Sequence, residues 1–187
     1  CDDPELFKAN SRDHSAYPWS ILFSPNVNKE ELIKILDDDQ AESRVQILAA
    51  NKLRALGESI NYQALLGMII EVGMDEGLDV IAAYGDGSAR YINYSEKLIV
   101  LEAQTEQSNA LIDDLFNCGN EVIQKIGPWD KERLPAPQAG QVRLTFLVSD
   151  GLYFGQGPFD VLAEDPMGGP VIGAAAELMK YLTEYKE

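Results

Sequence analysis

The chain has 187 residues, 45% of them hydrophobic and 25% charged, which suits one globular domain with a full core and little room for a second. Its 31 acids against 15 Lys and Arg give a net charge of −16, a field that repels nucleic-acid phosphate and anionic lipid head groups and so argues against a nucleic-acid partner. No apolar run approaches the ~18–20 residues of a membrane span, and the two cysteines, Cys1 and Cys118, make neither a disulfide framework nor a zinc site.

Residues 1–27 read as a tether: polar, broken by Pro4, Pro18 and Pro25, and without sustained periodicity. Within it, Tyr17, Trp19, Ile21, Leu22 and Phe23 form an apolar cluster. A disordered linker does not carry such a cluster, so it is expected to dock on the domain or on a partner. A single domain is expected over 28–187. Asn28, with Glu31 three residues on, starts a short helix through Leu32, Ile33 and Leu36. A second helix is expected from Asp38 or Asp39 as N-cap, through Val45, Leu48, Ala49 and Lys52, to a stop at Gly57. Together they predict a helical hairpin over 28–57.

Four short strands follow in the sequence: Leu65–Val72, Leu78–Tyr84, Ala89–Tyr94 and Leu98–Leu101. Gly85-Asp86-Gly87-Ser88 supplies the chemistry of a tight turn between the second and third. Thr105 caps a long helix to Ile126, whose apolar face includes Leu111, Leu115, Cys118, Val122 and Ile126 and is wide enough to pack across a sheet. Gly127-Pro128 ends it, and 128–140 is a connecting loop. Val142–Val148 is the clearest strand, turned at Asp150-Gly151 into Leu152-Tyr153-Phe154. A Gly- and Pro-rich stretch, 155–170, leads to a final helix with Pro170 at its first position. The fold class is therefore α+β: an antiparallel sheet of about six strands, packed by a long helix and a C-terminal helix on one face, with an N-terminal helical hairpin.

Chemistry is sparse. The sole histidine, His14, lies in the tether, which removes Ser–His and Cys–His pairs and multi-histidine metal sites from the folded part. Asp37-Asp38-Asp39 and Asp75-Glu76-Gly77 lack the alternating acids and terminal Glu of a calcium loop and read as caps and turns. Glu71, Glu102, Asp150 and Asp160 lie on or beside strands and are the candidates for a carboxylate pair. Gly168-Gly169 precedes a helix, where free N–H groups could hold an anion, but lacks the lysine of a phosphate loop. Cys118 reads as a small buried hydrophobe. The most distinctive set is aromatic: Tyr84, Tyr91, Tyr94, Tyr153, Phe154 and Phe159 cluster around the two hairpins and are the candidate interaction surface. No catalytic residue, metal or cofactor is expected.

Cys1 followed by Asp2 and Asp3 resembles the start of a mature bacterial lipoprotein. The resemblance covers only those few residues. It implies that Cys1 carries acyl chains through its sulfur and amino terminus, two or more of which anchor stably at ~0.8 kcal/mol per buried CH₂. The acidic residue after the cysteine is similar to the inner-membrane retention signal of enteric bacteria. The expectation is a non-catalytic, membrane-tethered accessory or protein-interaction subunit of a bacterial envelope complex. The membrane, through lipid on Cys1, and a protein would be its partners. A fragment that happens to begin at cysteine would read the same and would leave a cytoplasmic location open. A carboxylate-based or metal-assisted hydrolase and a small-ligand-binding domain, using the crevice between sheet and helix, are the alternatives.

Overall fold

The computed structural model describes residue 8, residues 15–101 and residues 104–184. Cys1, the expected lipid site, His14 and Glu102 lie outside the described residues. Six antiparallel strands form one sheet: β1 Leu65–Met74, β2 Gly77–Tyr84, β3 Ala89–Ile92, β4 Leu98–Leu101, β5 Gln141–Val148 and β6 Gly151–Pro158. Their order is β4-β3-β2-β1-β5-β6, a four-strand meander with a second hairpin added beside β1. The helices are α1 Trp19–Leu22, α2 Lys29–Leu36, α3 Ser43–Ala55, α4 Glu106–Ile123, α5 Phe159–Glu164 and α6 Gly168–Glu184. The α+β class, with a long helix and a C-terminal helix on an antiparallel sheet, is as the sequence predicts.

The helices cover both faces of the sheet rather than one. On the first face, α4 and α6 bury Ile112, Leu115, Val171 and Leu178 against Met68, Ile70, Ile81, Val142, Leu144 and Phe146. On the second, α1, α2 and α3 bury Leu22, Leu32, Ile35, Val45, Leu48 and Leu53 against Leu66, Ala82, Tyr84 and Leu147. The reason is visible in β1, where the run Leu65-Leu66-Gly67-Met68-Ile69-Ile70 does not alternate with polar residues. A strand apolar on both sides needs cover on both sides. Leu22 is almost wholly buried, so the second half of the expected tether packs into the domain, with Trp19 stacked on Phe23 at 5.6 Å.

Caps define the helix starts. Asn28 accepts from the Glu30 N–H at 2.8 Å at the start of α2. At α4, Thr105 and Ser108 cap one another reciprocally, each side chain accepting from the other's backbone N–H at 3.0 and 2.8 Å. The start of α3 differs from expectation: it begins at Ser43, beyond the Asp37-Asp38-Asp39 run. Its first N–H donates 2.9 Å to Asp86 of the β2–β3 turn, 43 residues away. A cap delivered from another element leaves no local sequence mark. The final segment also differs: β6 continues to Pro158, α5 follows at once, and α6 begins at Gly168 rather than at Pro170.

Two glycines permit close approaches. A Cβ on Gly119 of α4 would stand 2.6 Å from the Met68 sulfur, so glycine is what lets the helix settle onto β1. A Cβ on Gly73 would stand 2.0 Å from the carbonyl oxygen of Gln138, where the 128–140 loop crosses the strand.

Candidate functional site

The β2–β3 register sets Ile81 opposite Tyr91 and the β1–β2 register sets Val72 opposite Asp79. Because side chains alternate along a strand, Asp79, Ile81 and Tyr91 all rise from the α4/α6 face. The N-terminal half of α6 passes over them without sealing the gap. What remains is a crevice of about 180 Å³, floored by Ile70, Val72 and Ile81 and walled by Tyr91, Phe159 and Met179. Among the described residues Asp79 is the one charged side chain lining it.

Asp79 is held by two donors. The Tyr91 hydroxyl donates to Oδ2 at 3.1 Å and the Tyr94 N–H donates to Oδ1 at 2.7 Å. Burial, the hydrogen bond to the negative Asp79 and its charge push the Tyr91 hydroxyl up to about 12, with a further contribution from Tyr94. Tyr91 therefore stays protonated, as a donor, at any physiological pH. Both groups that hold the carboxylate are neutral. Among the described residues no lysine or arginine forms an ion pair with it.

The six aromatic candidates do not form one surface. Tyr84 is 0% exposed, on the α2/α3 face, with the Arg44 guanidinium 5.9 Å from its ring centroid. Tyr153 is 2% exposed on the opposite face, accepting from Gln63 Nε2 at 2.8 Å and donating to Asp150 at 3.0 Å. These two are core residues, and their place in the candidate surface is corrected accordingly: both strands are covered there by helices or by the chain entering β1. Phe154 lies on the second face, edge-on to Trp129 with ring centroids 4.5 Å apart. The other three gather at the crevice: Tyr91 and Phe159 line it, and Tyr94, 48% exposed, is bonded to Asp79 beside it. Asp79 is not among the candidates the sequence offers, where it falls at the junction of the turn over 74–79 and the strand from Leu78. Its position one strand over from Tyr91, on the same parity, was the available signal.

A second cavity, of about 230 Å³, opens on the α2/α3 face where the helices stop short. Glu71, Arg143, Thr145 and Phe154 line it, under a roof that includes Arg133 and Leu134. Arg143 is committed within the protein: Nε lies 2.9 Å from Glu71 Oε2, and the two terminal nitrogens donate to the carbonyls of Leu134 and Pro135 at 3.0 and 3.1 Å.

The remaining candidates are dispersed. Glu71 faces Arg143 in the β1–β5 register, and Asp150 lies seven residues further along, roughly 23 Å at strand rise. That is far outside the separation of a catalytic carboxylate pair. Asp160 accepts from the Val161 N–H in α5. Asp37 accepts from the Tyr62 hydroxyl, and Asp38 accepts from the Gln40 N–H. The start of α6 is occupied by its own capping acid. Asp165 accepts from the Met167 and Gly168 N–H groups, both at 2.8 Å, and these bonds hold its carboxyl below the usual range. Cys118 is half-buried against the α4/α6 core rather than fully enclosed. Among the described residues no group of three His, Cys, Asp or Glu side chains could hold a metal, and no helix is long and apolar enough to cross a membrane. Compared with protein-family models, with curated proteins and with solved structures, the chain matches none.

Proposed function

We propose that the protein is a non-catalytic interaction domain, an accessory subunit that engages a protein partner through the aromatic crevice between the sheet and α6. The observation that supports this most is the convergence of Tyr91, Tyr94 and Phe159 at one open site whose remaining lining is apolar but for Asp79. Aromatic side chains with a polar tip are the residues that interfaces favour. Size favours a partner's side chain over a cofactor at this crevice. Pockets that enclose small ligands run from ~300 to 1,000 Å³, and about 180 Å³ falls below that range but accommodates one side chain. A hydrolase is disfavoured because the candidate carboxylates Glu71, Asp150 and Asp160 do not converge.

A photo-crosslinking amino acid at position 159, in the native cell, tests the reading. The expected result is a discrete protein adduct that disappears when Ala176, an exposed residue on the crevice wall, is changed to Leu. Adducts that form equally from a control position on exposed α2, or that survive Ala176→Leu, would refute it.

A further inference from the structure

Resting on that reading, we infer that the occupant of the crevice is a lysine side chain of a basic partner segment, its ammonium against Asp79 and its methylene stem along the apolar floor.

Charge complementarity carries the argument. Among the described residues Asp79 is the only charged side chain lining the site, and both of its bonded partners are neutral donors. The carboxylate therefore keeps an uncompensated negative charge facing an apolar space, which a cation would neutralise as it enters. Tyr91 and Phe159 share the lining, and aromatic faces attract ammonium groups, the more so when water is excluded. Ile70, Val72, Ile81 and Met179 supply the rest of the contact. That combination suits a straight aliphatic stem with a charged tip, which is how lysine buries its methylenes. At longer range the −16 net charge raises the local concentration of basic segments.

Lysine fits better than arginine for a geometric reason. Each Asp79 oxygen already accepts one bond. A guanidinium binds a carboxylate best through two parallel bonds that engage both oxygens together, whereas an ammonium is a compact point charge satisfied by one. An anionic or neutral occupant is disfavoured, because it would leave the carboxylate desolvated and unpaired.

The test uses the full chain with ¹³C-labelled methyl groups. Hexylammonium chloride and hexanol, equal in apolar length, are titrated separately at low salt. Both are expected to shift the methyls of Ile70, Ile81 and Met179, with hexylammonium bound at least fivefold more tightly. Asp79→Asn should remove that preference and leave hexanol binding unchanged. Because this substitution also alters the bonds to the Tyr91 hydroxyl and the Tyr94 N–H, Ala176→Leu serves as a second variant, filling the crevice from an exposed helical position. It should abolish both sets of shifts with an unaltered circular dichroism spectrum, and persistence of the shifts would overturn the assignment. Equal affinity for the two probes, or a preference that survives Asp79→Asn, would overturn the cation while leaving crevice binding intact. Absence of shifts with either probe would remove the crevice as a binding site, and the proposed function with it. A final arm separates a partner's lysine from a free amine. An acetylated Gly-Leu-Lys-Leu-Gly amide should displace hexylammonium, its Nε-acetyl-lysine form should not, and the arginine form should be at least fivefold weaker. Exclusion of the lysine peptide from a crevice that binds hexylammonium would overturn the assignment to a partner's side chain.

Discussion

Arg143 closes one corner of the molecule, and its removal has a calculable consequence. The side chain is 10% exposed and joins three groups: Glu71 at 2.9 Å, Leu134 O at 3.0 Å and Pro135 O at 3.1 Å. Changing it to Met keeps most of the stem volume, so cavity formation is minor. Breaking a fully buried ion pair by deleting one partner costs ~3–5 kcal/mol. The cost here is smaller, because Glu71 retains 21% side-chain exposure and water can reach it. The two carbonyls belong to an exposed loop segment and can also turn to water. About 2–3 kcal/mol of destabilisation is the expected outcome. The double variant Glu71→Gln, Arg143→Met leaves no unpaired charge and should recover about 1–2 kcal/mol of that loss. Urea unfolding, with a shared slope for all variants, measures both quantities. Hydrogen exchange supplies a local readout: Gly140 N–H, bonded to Gly73 O at 3.0 Å, should lose protection as the loop lifts. An effect of Arg143→Met below about 0.5 kcal/mol, the range of ordinary surface changes, would refute the assignment of Arg143 as the strut of this loop. Strict additivity of the two substitutions would refute the ion pair.

Three further outcomes are expected. Gly73→Ala drives a methyl into the Gln138 carbonyl and should destabilise by about 1–3 kcal/mol in thermal or urea unfolding; a neutral result would mean that the loop does not cross there. Asp86→Ala removes the acceptor from the first N–H of α3 and from Ser88, for a loss of about 1–2 kcal/mol, while Asp86→Asn should restore part of it; equal stability of all three forms in urea would dismiss the long-range cap. Tyr91, raised to about 12 in the fold from about 10 in an unfolded chain, holds its proton more tightly when folded. Its contribution is thus complete below pH 10 and lost as pH rises through 10–12. Tyr91→Phe should flatten the alkaline fall of the melting temperature between pH 10 and 12, although Tyr62, also raised to about 12, keeps part of the slope; an unchanged fall would show that the hydroxyl is not held as described.

Legibility in the sequence followed the range of the interactions. The meander and the second hairpin were readable because their signals are local: Gly85-Asp86-Gly87-Ser88 and Asp150-Gly151 are turns, and Val142–Val148 alternates. The Thr105 cap was readable for the same reason. Cover on both sheet faces was also written in β1, but a short apolar run does not say which elements will supply that cover. The start of α3 was hidden because its cap comes from residue 86. Proximity in sequence misled for the aromatics. Tyr153 and Phe154 are neighbours in the chain, but the alternation of a strand sends them to opposite faces. Tyr91 and Phe159, 68 positions apart, share one crevice. Asp79 stood out only once the β2–β3 register was known.

The openings at Arg143 and at Asp79 invite the same question, and their charges answer it differently. At the α2/α3 face the acid and the base have found each other: Glu71 and Arg143 are opposite in register, and the arginine spends its remaining donors on the roof above. The charges of that pair already compensate each other, so an entering ion finds less to neutralise there. At the α4/α6 face Asp79 sits across from Val72 and diagonal to Tyr91, where the sheet offers it hydroxyl and amide but no cation. The carboxylate is part-buried there, and among the described residues no lysine or arginine pairs with it. Phe159 and Met179 nevertheless keep the approach apolar, which strengthens whatever charge arrives. A corner closed by an internal ion pair supports the fold; at the other corner the acid stands without a cation, and it is there that we propose the partner's lysine supplies one.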